Sequence, residues 1–184
     1  DPGPDPDPET LPDTRDPIRS RLVLYGIGNG DTMRSVMDVT RAAHWIEVDA
    51  SALRHNLSLF RRTVGPGAQL AAVVKSNAYG HGLEQVAPVA AEGVDWFAVH
   101  GAAEARALRR LGLRLPILVM GFVPPWELEG LDRDVHLLLS SAEALAWVGE
   151  HRRRTGVSLP VHFKVDTGTH RQGLEADEAV ALAR

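Results

Sequence analysis

The chain has 184 residues, 44% of them hydrophobic and 24% charged, with a formal net charge of -4. That balance gives no electrostatic reason to expect nucleic acid or an anionic membrane as a partner, and no uninterrupted apolar run is long enough for a membrane-spanning helix. Cysteine is absent, which excludes disulfides and thiolate-ligated metals.

Residues 1 to about 17 are dominated by proline and aspartate, have little apolar material to bury, and are expected to be disordered. Residues 1–40 as a whole read as a disordered or non-native extension, without the basic and apolar regions of a signal peptide. Gly26-Ile27-Gly28-Asn29-Gly30 follows Leu22-Val23-Leu24-Tyr25, but its spacing fits neither the dinucleotide fingerprint nor the Walker pattern. The first methionines are Met33 and Met37, and clear patterning begins only at Trp45. The expectation is therefore a biological start at Met33 or Met37.

Trp45 to Asp49 alternates as a half-buried strand. Leu53, Leu57, Phe60 and Val64 then recur at helical spacing from a cap at Ser51, and Gly65 with Pro66 ends that helix. From Gln69 the pattern becomes strand, loop and helix in repeated units. Strands are expected at 70–75, 96–99, 116–120, 135–139 and 161–165, and helices near 83–92, 102–111, 141–155 and from 177 onward. Ser140 with Glu143 has capping-box spacing, and Gly156 is placed as a helix stop. Arg152-Arg153-Arg154 falls at a helix C-terminus, where cations complement the dipole.

Such alternation means parallel strands with helical crossovers. The fold class is α/β, a partial (β/α)8 barrel with about five of eight strands over residues 41–184, since a complete barrel takes about 250 residues. A small doubly wound domain is the alternative.

Two strings carry candidate chemistry. In the first, the apolar run Ala71-Ala72-Val73-Val74 ends in Lys75 and passes into Ser76-Asn77-Ala78-Tyr79-Gly80-His81-Gly82. Residues at the C-terminal ends of barrel strands face the active-site mouth. At an unperturbed pKa of ~10.4, roughly one lysine in a few thousand carries a free amine at pH 7; desolvation raises that share and makes a Schiff base with a cofactor aldehyde reasonable. The competing reading is a strand-capping lysine that snorkels to water.

The second string is His162-Phe163-Lys164-Val165-Asp166-Thr167-Gly168-Thr169-His170-Arg171-Gln172-Gly173. His162, Lys164 and Asp166 project to one face at period two, which is costly inside a barrel unless the charges are paired. A functional pocket and strand-end charges facing solvent both fit. His44, His55, His100, His136 and His151 share no ligand spacing, so no metal site is expected.

The string from Val73 to Gly82 closely resembles the signature of the alanine racemases, pyridoxal-phosphate enzymes built on a barrel plus a β domain, with Ser76 where the family usually has alanine. The resemblance implies that Lys75 holds pyridoxal 5'-phosphate and that Tyr79 contacts its phosphate. Trp45 to Leu57 resembles the opening of these enzymes, whose first strand belongs with the β domain, and Gly101 to Gly121 resembles their next scaffold unit. The second string is similar to the family segment running from lysine-x-aspartate-threonine-glycine to an arginine. That implies Lys164 as a candidate carbamylated lysine orienting Arg171, which would contact the cofactor's phenolic oxygen and the substrate carboxylate. A planar, permanently charged fork suits two oxygen partners. Thr169 and His170 stand where the family has methionine and glycine; if that glycine sits at positive φ, histidine strains the turn and moves the guanidinium.

The resemblance implies racemisation of L- and D-alanine by a cytoplasmic homodimer, supplying D-alanine for peptidoglycan. Lys75 would serve one face of the substrate and a tyrosine from the partner's C-terminal domain the other. The chain is thus expected to be an N-terminal fragment, lacking the C-terminal barrel half and the β domain, with little activity of its own. The alternatives are a broader-specificity racemase or decarboxylase on the same barrel, a non-catalytic cofactor-binding barrel protein, and an inert remnant. No nucleic acid or membrane partner is expected.

Overall fold

The computed structural model describes residues 22–26 and 45–184, which fall into two units divided after Leu53. In the first unit, β1 (Leu22–Gly26) pairs antiparallel with β2 (Trp45–Asp49), Leu22 opposite Asp49 and Gly26 opposite Trp45. Five of the residues read as a disordered or non-native extension therefore form a strand. The rest of that expectation, with Met33 and Met37, lies outside the described residues.

Helix α1 (Ala50–Val64) follows β2 at once, and its cap is Asp49 rather than Ser51. Asp49 Oδ1 accepts the backbone N–H of Ser51 at 2.8 Å and of Ala52 at 3.1 Å, while the Ser51 hydroxyl donates to the same oxygen at 2.7 Å. A carboxylate satisfies these orphan donors and also meets the positive end of the helix dipole, so it outcompetes the neighbouring hydroxyl. The helix ends as its sequence dictates: Gly65 takes φ +74° and its N–H donates to the Arg61 carbonyl.

The second unit is a five-stranded parallel sheet in chain order: β3 (Ala71–Val73), β4 (Trp96–Val99), β5 (Ile117–Val119), β6 (Val135–Leu139) and β7 (Val161–Phe163). Between them lie α2 (Lys75–Tyr79), α3 (Leu83–Ala90), α4 (Ala102–Arg110), a 3-10 turn at Pro125–Glu127 and α5 (Ala142–Thr155), and α6 (Ala176–Leu182) closes the chain. The expected strands and helices are all present, several shortened by a residue or two at their ends. The cap of α5 is Ser141, whose hydroxyl accepts the Ala144 N–H at 3.2 Å, not Ser140. Gly156 stops that helix at φ +73°.

Strand parity divides the sheet into two chemically different faces. Phe97, Val99, Ile117, Val119, Val135 and Leu137 are buried on the helix-covered face, in register with one another. Ala87, Ala90, Ala102 and Ala105, small side chains that let α3 and α4 approach the sheet, share this core with Leu108. Ala98, Leu118 and His136 are register partners on the opposite face, as are Leu138 and His162. That face is the one a closed barrel would enclose.

From Arg54 onward α1 is itself part of this unit, where Leu57 packs on the core and two arginine–carboxylate pairs add to the contact. Arg54 forks onto Glu92 at 2.6 and 2.8 Å, and Arg61 reaches Asp95 at 2.7 Å. Phe60 and Val64 remain 59% and 42% exposed, so the apolar spacing of α1 is only partly covered.

Candidate active site at the strand ends

In a parallel sheet every strand delivers its C-terminal end to the same edge, and Lys75 is the second residue past β3. Ala71 and Val73 lie on the face away from the helices, and Val74, at φ -120° and ψ 21°, turns the chain out of the strand just before Lys75. The lysine is half-buried rather than sealed off.

The turn after it differs from the loop its glycines suggest. Ser76, Asn77, Ala78 and Tyr79 all take φ between 53° and 55°, so α2 is a turn of left-handed helix built from four L-residues. Each such residue costs roughly 1–2 kcal/mol, and strain of this kind persists only where the surroundings over-determine it. Here they do. The Ala78 side chain is buried in the core, the Gly82 N–H donates to the Asn77 carbonyl at 2.9 Å, and Asn77 Oδ1 accepts the Leu83 N–H at 2.7 Å. The turn brings the Tyr79 ring to within 5.8 Å of Lys75 Nζ and leaves Tyr79 59% exposed.

At the opposite edge strand, Lys164 is the first residue past β7, and its Nζ donates to the Gln172 carbonyl at 2.7 Å. Asp166 shapes the loop between them: Oδ1 accepts the backbone N–H groups of Gly168, Thr169 and His170 at 2.9, 3.0 and 3.1 Å. These donors, Gly168 first and His170 next, hold its carboxyl below the ordinary carboxylate range. His170 takes φ +52°, the conformation for which glycine is suited. The loop closes through Gly173 at φ +146°, where a Cβ would stand 2.7 Å from the Asp166 nitrogen. Arg171, at the loop's tip, is exposed and has no hydrogen-bond or ion-pair partner among the described residues.

The Lys75 and Lys164 groups lie on opposite edge strands, and a belt of hydrogen bonds along the strand ends connects them. The Ser76 N–H donates to Glu104 Oε1 at 2.5 Å, and the other Glu104 oxygen accepts the N–H groups of His100 at 2.7 Å and Gly101 at 3.3 Å. The His100 carbonyl accepts the Gly121 N–H at 2.8 Å. Gln172 Nε2 then donates to the Met120 carbonyl at 3.3 Å, and the Gln172 carbonyl accepts Lys164 Nζ. Sequence reasoning treated Gly101 to Gly112 as scaffold and missed Glu104. The available signal was its position three residues after a helix-starting glycine, the acidic half of a capping box.

A second cluster lies on the same sheet face, lower down the strands. His136 Nδ1 is 2.9 Å from His162 Nε2, and the Trp96 ring meets His136 edge-on at 4.6 Å between centroids. The two histidines are far apart in sequence, and only the register of β6 and β7 makes them neighbours. Burial, and then His162, push the His136 imidazole below its ordinary value. No group of three or more metal-ligating side chains occurs among the described residues. No helix among them is long and apolar enough to cross a membrane.

Residues 48–184 match the family model described as alanine racemase, N-terminal domain. The alanine racemase of Desulforamulus reducens is 40% identical over 136 residues, covering 73% of this chain and 37% of that protein. Among solved structures, an alanine racemase of Clostridium difficile superposes with a TM-score of 0.67 at 32% identity, over 72% of this chain and 36% of the other. A histidine racemase from Leuconostoc mesenteroides does so with a TM-score of 0.66 at 33% identity, over 73% and 37%. The open five-stranded sheet corresponds to the N-terminal part of the barrel in these enzymes. The chain spans just over a third of the length of the curated relatives it matches.

Proposed function

The chain belongs to the alanine racemase N-terminal-domain family, and from that premise we propose that Lys75 holds pyridoxal 5'-phosphate for the interconversion of L- and D-alanine. One observation carries the reading: a lysine amine at a strand end with a phenol kept beside it by a left-handed turn. The donor set fits the cofactor. A primary amine suits its aldehyde, the exposed Tyr79 hydroxyl suits a phosphate oxygen, and Arg171 offers two parallel donors to an oxygen pair. When bound, pyridoxal phosphate supplies an electron sink for charge developing at Cα.

The chain's own residues then have separable tasks. Lys75 moves a proton at one face of Cα. Tyr79 anchors the phosphate end. Arg171 orients the substrate carboxylate and the cofactor's phenolic oxygen, and the Asp166 carboxylate sets its position by folding the loop. Lys164 is the candidate carbamate. A carbamate nitrogen keeps one hydrogen, so the modified side chain would still have a donor for the Gln172 carbonyl. In this reading the opposite face of Cα is served from the partner subunit of a cytoplasmic homodimer that supplies D-alanine to the cell wall, and residues 1–40 are an extension to the catalytic barrel.

A second reading is a racemase of broader substrate range, favoured by the likeness to the Leuconostoc histidine racemase at the same sheet. Borohydride reduction with pyridoxal phosphate, followed by peptide mapping, tests the site. Lys75 and Lys164 are the chain's two lysines, so the result is unambiguous. A single label on Lys75 is expected, whereas label on Lys164 or on neither overturns the assignment. Alanine and histidine α-proton exchange then separate the two substrate ranges.

A further inference from the structure

We propose that Glu104 is a positioning residue for Lys75, a role that rests on the reading above but acts before any cofactor binds. Its carboxylate joins the first two strand-end loops. Oε1 takes the Ser76 N–H, the peptide immediately after Lys75, and Oε2 takes the N–H groups of His100 and Gly101. The oxygens are therefore divided, one to each loop.

The position of the Ser76 bond explains why it matters. Ser76 is where the backbone changes hand, from the ordinary conformation of Lys75 to φ +53°. Left alone, an L-residue there relaxes toward negative φ, which would swing the preceding Lys75 and its Cβ. A carboxylate accepting from an amide makes a charge-assisted bond, stronger than a neutral one. Glu104 can hold that peptide because α4 fixes it from the other side. Ala102, Ala105 and Leu108 bury the helix against the sheet, and Gly101 starts it with an extended backbone. Having no side chain, Gly101 cannot return a capping bond, so Glu104 is the side chain that organises both the helix start and the lysine's turn. Downstream, the same residue begins the belt that runs through His100 and Gly121 to the Arg171 loop.

The test uses the full chain without cofactor and two readouts, amide hydrogen exchange at Ser76 and His100 and competitive acylation of Lys75 with acetic anhydride, with added Nα-acetyl-lysine as the reference amine. In E104Q the amide has one accepting oxygen and cannot serve both loops. Exchange at Ser76 or His100 is expected to quicken by about tenfold or more, and the ratio of Lys75 labelling to that of the reference amine to change by about threefold. A103G, an exposed position in the same helical turn, weakens α4 without touching the carboxylate and is expected to leave the ratio unchanged. The proposal is overturned if E104Q leaves both readouts at the wild-type level, or if A103G reproduces its effect. Should E104Q not fold, the wild-type protein decides alone: a Ser76 amide exchanging as fast as unprotected chain rules the bond out, and a protected one upholds it. Failure of pyridoxal phosphate to label Lys75 would overturn the catalytic reading without affecting these measurements.

Discussion

His170 stands at φ +52° while its backbone N–H rests on Asp166 Oδ1 at 3.1 Å, so the carboxylate that folds the Arg171 loop also holds a side-chain-bearing residue in a conformation suited to glycine. His170→Gly is expected to stabilise the chain by about 0.5–1 kcal/mol, the left-handed penalty less the extra freedom glycine has when unfolded. His170→Ala keeps the Cβ and should give no gain. Urea unfolding of the three proteins checks both.

Gly121 is required for a different reason. A Cβ there would lie 2.5 Å from the His100 carbonyl oxygen and 2.7 Å from its ring Cε1, contacts that need backbone movement to relieve. Gly121→Ala should therefore cost about 1–3 kcal/mol in thermal or denaturant unfolding. Because the Gly121 N–H is also a link of the strand-end belt, its own amide should lose exchange protection, while that of Leu137 in β6 stays protected.

His151 lies in the last turns of α5, is 4% exposed, and neither of its ring nitrogens has a hydrogen-bond partner among the described residues. Replacing a buried, unpaired polar ring with an apolar side chain of similar volume removes that penalty. His151→Leu is expected to raise stability by about 1–2 kcal/mol and His151→Gln, still polar, to give no gain, as read from denaturation midpoints.

The His136–His162 pair gives the fold a pH dependence of definite sign. The groups facing His136 are His162, the Trp96 ring and the Asp134 carboxylate; burial and His162 lower its pKa and Asp134 opposes them. A folded-state pKa below the unfolded value of 6.5 means that the unfolded chain binds the proton more readily. The contribution is therefore complete above that value and is lost as pH falls through the folded pKa. Thermal midpoints should drop between about pH 7 and pH 5, and less steeply in His136→Phe than in the wild type. Equal slopes would assign the dependence to other groups.

Much of this architecture is visible in local patterning. The run from Ala71 to Val74, the alternation in Val135 to Leu139 and the helix stop at Gly156 each express a preference that tertiary packing agrees with. The strain at position 170 could be anticipated too, from a histidine standing where the family has glycine. The caps were misplaced by one or two residues because several oxygen-bearing side chains sit side by side at each helix start, and only the chain's path selects Asp49 over Ser51 and Ser141 over Ser140. The left-handed turn was not legible: of its four residues only Asn77 has a local tolerance of that conformation, Ser76, Ala78 and Tyr79 have none, and contacts made elsewhere impose it. Glu104 and the His136–His162 pair were missed for the same reason, since their partners are distant in sequence.

The backbone hand of α2 also sets which mutations the gene can tolerate there. Side chains branched at Cβ are the ones least able to adopt φ near +53°, and single-base changes lead from serine and asparagine codons to threonine and isoleucine, and from alanine codons to threonine and valine. In a saturation-mutagenesis library these substitutions should be purged at Ser76, Asn77 and Ala78 alike, although the first is exposed and the last is buried. Depletion across the three would then record the handedness of a peptide chain, and could easily be mistaken for contact with a ligand.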